Sequence, residues 1–465
     1  MVKLGEMGTW VVRRDAVNAL TLKTVRVDIV NGPDAGTSKT SAEEVFTIGT
    51  APGNTLQVTD RTVSRYHLEL RSQEDGVLLQ DLGSTNGTIL TGARLERARI
   101  GLGTTLHLGR TQIVVRDGEQ AMVELHAANE IGGVLGNTVV MRRLLALVAK
   151  AAKSEVPVLI TGESGTGKEL IARAVHDTGK RADKPFVVVD CGSLSPTLIG
   201  SELFGHEKGA FTGATDRHAG AFEQAEDGTV FLDEIGELPP ASQANLLGVL
   251  ERGTFRRLGG QKELPLRARV LSATNRDLRS DVNRGNFRLD LFYRLAIVVL
   301  HTPALREHAD DIPLLIEHFL QRGGYEGTIE ELFPPAVMER FRVHTWPGNV
   351  RELRNTVDAA RTLGPDWSIS GTFAVIPPAG TGTGPEGAEN FQESTSDSIN
   401  LGVVGVTADL QPYNEARSHV LASFEKIYLR QLYDRCEGNV SKAARQAQMD
   451  RSYLISLLRK HNIRG

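Results

Sequence analysis

The segment GESGTGKE, residues 162–169, contains residue types that bind phosphate groups. It follows the apolar segment VPVLIT and precedes ELIARAVH, so a strand leads into a glycine-rich turn and then a helix. Successive backbone N–H groups and the helix N-terminus can then surround phosphates, with Lys168 reaching the terminal ones. We therefore predict a nucleotide-binding loop. Its predicted contacts are Gly162, Glu163, Ser164, Gly165, Thr166, Gly167, Lys168 and Glu169.

Glu169 stands where such loops generally have Ser or Thr, whose hydroxyl binds Mg²⁺. Either the metal relies on other ligands or the site is altered. Other ligands occur in TVFLDEIGELP, where an apolar strand runs into Asp233 and Glu234. Asp233 can orient the metal and Glu234 can polarise a water, although an acidic helix N-cap is the alternative for the pair alone. Asn275, after another apolar strand, can orient the water or sense the γ-phosphate.

Three arginines are candidates for stabilising the charge of a transferred phosphoryl group. Arg288 and Arg294 lie in FRLDLFYRL, and Arg351 lies in WPGNVREL. Such arginines can come from a neighbouring subunit. Because a lone Arg is more often a surface or salt-bridge residue, spacing alone does not select these three.

The segment GAFTGA, residues 209–214, places one large apolar ring, Phe211, among small residues. Its glycines allow backbone angles that other residues disfavour, so the segment is interpreted as a loop that can change shape. Taken alone, it fits two structures equally: a turn whose Phe packs into the core, or an exposed binding tip.

The composition excludes several classes of protein. The chain has 465 residues, a formal net charge of -4, 40% hydrophobic and 24% charged residues, as in soluble globular proteins of about three domains. No apolar run approaches the ~20 residues of a membrane helix. Cys191 and Cys436 lie far apart without a metal-ligand pattern, and two buried thiols are their simplest explanation. We expect a cytoplasmic protein with no membrane association.

The elements that must position these residues fall into blocks. Short alternating segments separated by Gly, Asn, Asp and Pro predict an all-β sandwich, followed by a short polar joint, DGEQAMVELHAANE. Apolar strands alternating with helices then predict a parallel sheet covered on both faces, and a helical subdomain follows. The predicted ranges are 9–116 for the sandwich, 131–302 and 303–363 for the α/β core and helical subdomain, 365–411 for a flexible linker, and 419–465 for a terminal helical domain.

The motifs GESGTGKE, ELFGHEKGAFTGA, TVFLDEIGELP, ATNRDL, FRLDLFYRL and WPGNVREL occur in this order and resemble the AAA+ domain of bacterial sigma-54-dependent transcriptional activators. The resemblance covers about residues 131–363. It implies an ATPase that uses ATP and Mg²⁺, and a hexameric ring. It also implies that Arg288 and Arg294 act on a neighbour's site, that Arg351 is a sensor, and that Glu169 is the usual residue.

The same resemblance answers the question raised by Phe211. In this family the loop moves with the nucleotide state, and its Phe and Thr contact the sigma-54 subunit of RNA polymerase. The residues implied in that contact are Gly209, Ala210, Phe211, Thr212, Gly213 and Ala214. Asp190 is one departure, because the family usually has Asn there. If Asp190 faces the catalytic Glu234, two carboxylates would repel each other, and we predict an altered basal ATPase rate.

Residues 419–465 carry nine basic side chains against four acidic ones, which indicates a nucleic-acid face. The segment GNVSKAARQAQMDRSYLISLLRKHNI resembles the Fis-type helix-turn-helix that ends this activator family. A basic dimerisation hairpin is the alternative, and Fis-type domains also dimerise. The residues expected to contact promoter-upstream DNA are Arg451, Ser452, Tyr453, Ser456, Arg459 and Lys460.

The segments FTIGT, VSRYH and LGSTNGT resemble a forkhead-associated (FHA) domain, which binds phosphothreonine. The candidate phosphopeptide contacts are Ser64, Arg65, Thr85 and Asn86. Thr50 replaces the phosphate-contacting Arg of that family, so we expect weak phosphothreonine binding. A purely structural role for the domain is the competing interpretation.

Together these features predict a sigma-54-dependent activator: a phosphoprotein-sensing sandwich, a ring-forming ATPase and a DNA-binding tail. Its expected partners are sigma-54 RNA polymerase, upstream DNA, further copies of itself, and a phosphothreonine protein or a serine/threonine kinase. Two rivals remain. A protein-unfolding AAA+ ATPase would need a substrate pore loop where GAFTGA stands. A DNA-bound repressor or scaffold would need an inactive ATPase, against which Lys168, Asp233 and Glu234 argue.

Overall fold

The computed structural model describes residues 11–14, 17–41, 45–73, 76–193 and 196–364, together with the single residues Leu429, Val440, Lys442, Leu454 and Leu458. The predicted linker and nearly all of the predicted helix-turn-helix lie outside the described residues. Among the described residues, no helix combines the length and the apolar composition that crossing a membrane requires.

The N-terminal sandwich consists of two sheets. Its strands are β1 (Val11–Arg14), β2 (Val17–Asn31), β3 (Ser38–Thr40), β4 (Val45–Gly49), β5 (Leu56–Gln57), β6 (Leu68–Gln73), β7 (Gly76–Asp81), β8 (Thr88–Leu90), β9 (Ala93–Leu95), β10 (Arg97–Ile100), β11 (Thr105–Leu108) and β12 (Thr111–Leu125). One sheet has the order β1-β2-β12-β11-β8-β9 with β3 on β2, and the other has the order β10-β7-β6-β4-β5. Alternate residues such as Val25, Val27 and Ile29 point into the shared core, which confirms the predicted sandwich.

The sandwich differs from the sequence prediction at one end. The prediction of a polar joint after Arg116 was wrong, because β12 continues to Leu125 and pairs with β2 as far as Asn18. The register shifts between Asp117 and Gln120. Hydrogen bonds between the two backbones do not require apolar side chains, so a polar segment can extend a two-stranded ribbon beyond the core.

The parallel-sheet domain, residues 130–301, follows the sandwich. Its elements are β13 (Glu130–Ile131), β14 (Val134–Leu135), α1 (Val139–Ala152), β15 (Val158–Thr161), α2 (Lys168–Asp177), β16 (Phe186–Asp190), α3 (Pro196–Phe204), α4 (Ala221–Gln224), β17 (Thr229–Asp233), α5 (Pro240–Arg252), β18 (Thr254–Arg256), β19 (Glu263–Pro265), β20 (Arg269–Thr274), α6 (Leu278–Arg284), α7 (Leu289–Leu295) and β21 (Val298–His301). The parallel sheet has the order β16-β17-β20-β15-β21. Every residue of β20 is buried, as expected for a strand covered on both faces.

The helical subdomain completes the described part of the chain. Its helices are α8 (Ile312–Arg322), α9 (Ile329–Leu332), α10 (Pro335–Val343) and α11 (Asn349–Leu363). They enclose a separate core that contains the fully buried Trp346. Both predicted architectures, the parallel α/β core and the helical subdomain, are therefore confirmed.

Candidate functional site

The glycine-rich loop connects the C-terminal end of β15 to the first residue of α2. Gly165 and Gly167 have φ angles of +80° and +91°, which glycine adopts without strain. A Cβ atom on Gly162 would lie 1.8 Å from Thr302 Oγ1, so a side chain there would clash. Because the loop leads directly into a helix N-terminus, its backbone has the geometry of a phosphate cradle.

Lys168 is buried at the start of α2. Its Nζ donates to the carbonyl oxygens of Gly162, at 3.1 Å, and Glu163, at 3.2 Å. It also lies 3.8 Å from Glu234 Oε1. Burial lowers the pKa of Lys168, although the charges of Glu234 and Asp233 oppose that shift. A phosphate oxygen is a stronger acceptor than either carbonyl, so this buried ammonium fits a nucleotide phosphate.

The two carboxylates lie at the C-terminal end of β17. Burial raises the pKa of Asp233, and the charges of Glu234 and Asp190 raise it further. Glu234 has a φ of +49°, a backbone conformation that is costly for a non-glycine residue and often occurs at functional sites. Its Oε2 accepts a hydrogen bond of 3.1 Å from the backbone N of Asn275. The structure therefore brings Lys168, Asp233, Glu234 and the exposed Asn275 together at one edge of the sheet.

Asp190 ends β16 and is paired in register with Asp233 on β17. Its Oδ1 accepts hydrogen bonds from the backbone N of Gly192, at 2.9 Å, and of Ser193, at 3.2 Å. The carboxylate thus stabilises the turn that follows its own strand, while its charge acts on Asp233. The predicted effect of Asp190 on the site is therefore electrostatic. Its charge raises the pKa of Asp233, and a direct contact with Glu234 is not required.

The helical subdomain contacts the glycine-rich loop through its last helix. Arg351 Nη1 donates to Ser164 Oγ at 3.2 Å, and its backbone N donates to the Gly165 carbonyl, also at 3.2 Å. Arg351 therefore lies beside the glycine-rich loop, and its role as a sensor stays a prediction.

Two further residues at this contact were missed by sequence reasoning. Arg306 binds both carboxylate oxygens of Glu163, at 2.5 and 2.9 Å, and this lowers the pKa of Glu163 to about 2. Asn349 Nδ2 donates to Glu163 Oε2 at 3.1 Å and to the Ser164 carbonyl at 3.0 Å. Asn349 lies within the motif WPGNVREL, but a single sequence does not indicate that its partner stands 186 residues earlier.

The other two candidate arginines lie at α7, where Arg288 directly precedes the helix and Arg294 lies within it. Arg288 forms a two-pronged ion pair with Asp290, at 2.8 and 3.0 Å, and Arg294 is exposed. The backbone N of Arg288 donates to Gln243 Oε1 of α5 at 3.0 Å, so within one chain its contacts are with α7 and α5 rather than with the glycine-rich loop. This arrangement is compatible with arginines that act on a neighbouring subunit.

The GAFTGA loop lies between α3 and α4. Gly209 and Gly213 have φ angles of +80° and +101°, and the Gly209 N donates to the Ala214 carbonyl at 2.8 Å. Phe211 is 36% exposed, and its ring meets the His206 ring edge-on at 5.0 Å. Phe211 is therefore neither packed in the core nor fully exposed: it rests on a histidine at the surface, beside an exposed Thr212.

The base of this loop is held by buried charge. Arg257 donates to Glu207 at 2.7 Å and to both carboxylate oxygens of Glu223, at 2.6 and 2.9 Å. These bonds raise the pKa of Arg257 and lower that of Glu223. The loop thus has a rigid base and a tip that few contacts restrain.

Three of the four candidate phosphopeptide residues lie together on the N-terminal sandwich. Ser64 Oγ accepts a hydrogen bond of 3.0 Å from the Thr85 backbone N, and Asn86 Nδ2 donates to the Thr62 carbonyl at 2.7 Å. Below them His67 is fully buried, and burial lowers its pKa. Arg65 points elsewhere, since its Nη1 donates to the Val282 carbonyl of α6 at 3.4 Å.

The candidate DNA contacts Arg451, Ser452, Tyr453, Ser456, Arg459 and Lys460 lie outside the described residues.

Three protein families match the chain. The sigma-54 interaction domain matches residues 134–301, and the AAA+ ATPase lid domain matches residues 306–372. The family described as the inner membrane component of T3SS, cytoplasmic domain, matches residues 28–119.

Individual proteins resemble the same parts. The DNA-binding transcriptional regulator NtrC of Rhizobium meliloti (strain 1021) is 38% identical over 335 residues, which cover 70% of this chain and 69% of that protein. NtrX of Brucella abortus, solved in complex with ATP, is 32% identical with a TM-score of 0.49, covering 72% of this chain and 70% of the other. An FHA domain solved in an analysis of phosphothreonine-dependent interactions is 30% identical with a TM-score of 0.19, covering 21% of this chain and 98% of the other.

Proposed function

This chain belongs to the NtrC-like family of sigma-54-dependent transcriptional activators, and we propose that its ATPase converts closed promoter complexes of sigma-54 RNA polymerase into open ones. In the same proposal the protein binds upstream DNA through residues 419–465, assembles from dimers into a hexameric ring, and acts in the bacterial cytoplasm. The observation that carries the proposal is the position of Phe211 and Thr212 on a glycine-flanked surface loop of an ATPase domain.

The residues around the glycine-rich loop fit ATP with Mg²⁺. The loop amides and the N-terminus of α2 bind the phosphates, and Lys168 exchanges its two carbonyl acceptors for phosphate oxygens. When bound, the nucleotide and metal supply the phosphoryl group that is transferred to water and part of the positive charge that stabilises it. Asp233 would hold the metal, and a nearby cation would lower its raised pKa.

Glu234 is the proposed base. Its backbone is strained, and its carboxylate is held between Lys168 and the Asn275 amide, so it can accept a proton from the attacking water. Asn275 orients that water or senses the γ-phosphate. Arg288 and Arg294 act on the neighbouring subunit, whereas Arg351 reports the state of the loop to the helical subdomain through Ser164.

Coupling to RNA polymerase is proposed to depend on the contact between Phe211 and His206. A ring that rests on the surface by one edge contact can be raised when the phosphate contacts change. Residues Gly209 to Ala214 then engage sigma-54, with Phe211 and Thr212 making the contact.

The N-terminal sandwich is proposed to bind a phosphothreonine protein, such as a serine/threonine kinase or its target. Ser64 bonds the Thr85 backbone, and Asn86 bonds the neighbouring Thr62 carbonyl, so these donors lie on adjacent turns; Arg65 would add a charged donor once it leaves the Val282 carbonyl. Because Thr50 offers no charge, the affinity is expected to be weak.

Open-complex formation tests the main proposal. Wild-type protein, sigma-54 RNA polymerase, ATP and a promoter carrying this protein's binding site are compared with the same mixture containing Thr212→Ala. We expect promoter melting by the wild type, and loss of melting with retained ATP hydrolysis for the variant. Thr215→Ala is the matched control, because Thr215 is exposed just outside the loop, its side chain bonds its neighbour Asp216, and alanine keeps the backbone N that donates to Gly213.

A second candidate function is a DNA-bound AAA+ regulator or scaffold that does not remodel sigma-54 complexes. It predicts no melting by the wild type even with active hydrolysis and with the phosphorylated partner present.

A further inference from the structure

The N-terminal sandwich packs against the parallel-sheet domain through the same edge that carries its candidate phosphate site. The sandwich contributes three loops, residues 49–53, 64–66 and 82–83, and the other side consists of α6 and α7. We call this contact the docking interface. Both sides belong to one compact unit, Met1–Val375.

The centre of the docking interface is apolar. Tyr66 is only 2% exposed, and its ring meets that of Phe292 edge-on at 5.6 Å. Ala51 and Leu82 of the sandwich belong to the same buried cluster as Leu278 and Val282 of α6. Burying an aromatic ring and two aliphatic side chains favours the docked arrangement.

Hydrogen bonds surround this apolar centre. The side-chain amide of Asn283 accepts from the Tyr66 N at 3.3 Å and donates to the carbonyl oxygens of Tyr66, at 2.5 Å, and Leu82, at 3.0 Å. Arg279 Nη1 donates to the buried Glu69 at 2.9 Å, and the Tyr293 hydroxyl donates to the Pro52 carbonyl. Asn283 alone thus bonds two of the three sandwich loops.

The docking interface borders the candidate ATP site. A cleft of about 220 Å³, partly open to solvent, lies beside it, and its lining includes Glu69 and Arg279 of the docking interface as well as Gly162 and Asn275 of the candidate ATP site. The apolar centre of the docking interface is small, and its other contacts are hydrogen bonds, which contribute less net stability than the packing of a domain core. Its contacts are therefore suited to being released.

The docking interface overlaps the candidate phosphate site. Arg65 donates to the Val282 carbonyl, whereas Ser64, the residue before it, is partly exposed and Thr85 on another turn is exposed. The loop after Gly49 carries Thr50 and then Ala51, which is buried in the interface. If Arg65 binds a phosphothreonine, its side chain must leave the Val282 carbonyl of α6. The neighbouring loops of the sandwich must then also separate from α6 and α7.

The other side of the docking interface carries the arginines proposed to act between subunits. Arg288 precedes α7, and Arg294 follows Tyr293, whose ring would lie 3.3 Å from a Cβ on Gly53 of the sandwich. The docked sandwich therefore lies against the helix that must present Arg288 and Arg294 to a neighbouring subunit.

We propose that the N-terminal sandwich inhibits the ATPase by docking on α6 and α7, and that binding of a phosphothreonine peptide at Ser64 and Arg65 releases it. This inference rests on the proposed function, because it names the regulation of the same ATPase and the same phosphopeptide site. Release frees α7 for the neighbouring subunit and so favours assembly of the active ring.

The test compares full-length wild type, Asn283→Ala and the control Asn286→Ala. Asn286 is exposed at the end of α6, and its side chain is recorded only against Asp281. ATPase rate is measured against protein concentration, and hydrogen exchange is measured over α6 and α7. We expect Asn283→Ala to reach half-maximal ATPase at about tenfold lower protein concentration and to lose protection in these helices, with Asn286→Ala like wild type. Unchanged or lower ATPase in a folded Asn283→Ala protein overturns the inference.

A second arm adds a degenerate peptide mixture centred on phosphothreonine, and its unphosphorylated counterpart, to wild type and Asn283→Ala. The phosphorylated mixture should activate wild type and expose α6 and α7, with little further effect on Asn283→Ala. If calorimetry detects phosphopeptide binding but the helices stay protected, release is wrong while phosphothreonine sensing stands. If neither mixture binds, the phosphothreonine proposal fails, and with it release by phosphopeptide.

A separate outcome concerns the ATPase itself. If wild type and both variants bind ATP without hydrolysing it, the proposed ATPase activity is wrong. Hydrogen exchange over α6 and α7 then decides by itself whether the sandwich docks.

Discussion

The parallel-sheet domain and the N-terminal sandwich each have a candidate phosphate site, but the two sites are built from different groups. The first uses backbone amides and a helix N-terminus, shaped by glycines with positive φ, plus one buried lysine. The second uses side chains from separate turns, such as Ser64 and Asn86, and has the uncharged Thr50 where the forkhead-associated resemblance implies an arginine. A backbone cradle tolerates changes in side chains around it, whereas a side-chain site loses affinity with each donor that is absent.

Replacing the lysine of the first site should have the largest effect. Lys168→Ala removes the buried ammonium that bonds the loop carbonyls and lies 3.8 Å from Glu234, so we expect the ATPase rate to fall by about 10² to 10³-fold. The measurement is phosphate release at saturating ATP. Arg173→Ala, on the exposed face of the same helix, is the control and should retain near wild-type activity. Substantial hydrolysis by Lys168→Ala would show that the cradle does not depend on its charge.

Substitutions at the phosphopeptide site should change peptide affinity less than Lys168→Ala changes the ATPase rate, and they can either weaken or strengthen binding. Ser64→Ala is expected to weaken phosphothreonine-peptide binding about tenfold, and Thr50→Arg to strengthen it by about the same factor. Isothermal calorimetry with phosphorylated and plain peptides measures both. Thr59→Ala serves as the control, because Thr59 bonds Asp34 away from Ser64. Nucleotide affinity should be unchanged in all three variants. If Thr50→Arg strengthens the binding of plain and phosphorylated peptides equally, the introduced arginine does not contact the phosphate.

The smallest expected effect concerns a negative charge that stands beside the first site. Burial, Glu234 and Asp190 raise the pKa of Asp233, so the carboxylate that should hold the metal becomes protonated at a higher pH than an ordinary Asp. Asp190→Asn removes one of these charges and keeps an oxygen that can accept from Gly192 and Ser193. The acid limb of the ATPase profile should therefore move to lower pH, by roughly half a pH unit, and basal ATPase should change about twofold to threefold.

The pH–rate profile of Asp190→Asn should be compared with that of Asp183→Asn, whose exposed carboxylate pairs with Lys184. Identical profiles for wild type and Asp190→Asn, with the same dependence on DNA, would show that Asp190 does not influence the site.

Sequence patterns were most informative where neighbouring residues decide the structure. The apolar segment before Gly162 and the helix after Lys168 predicted the phosphate loop, because a strand, a glycine turn and a helix are each defined over a few residues. The same reasoning was wrong for residues 117–125, since strand pairing there depends on a partner strand about 100 residues earlier. Sequence reasoning also left two structures open for Phe211, a ring packed in the core and an exposed tip. The structure shows an intermediate arrangement, in which the ring rests on His206 at the surface.

The sequence by itself thus determined the types of chemistry: a glycine loop with a lysine, two carboxylates after a buried strand, and a pliable loop with one aromatic ring. Only the tertiary structure decided which distant groups meet, as in the contact of Arg306 with Glu163 and the docking of Tyr66 beneath Asn283. Local propensity and motif spacing act over a few residues, whereas these contacts form between segments more than 140 residues apart, whose approach is set by the packing of whole domains.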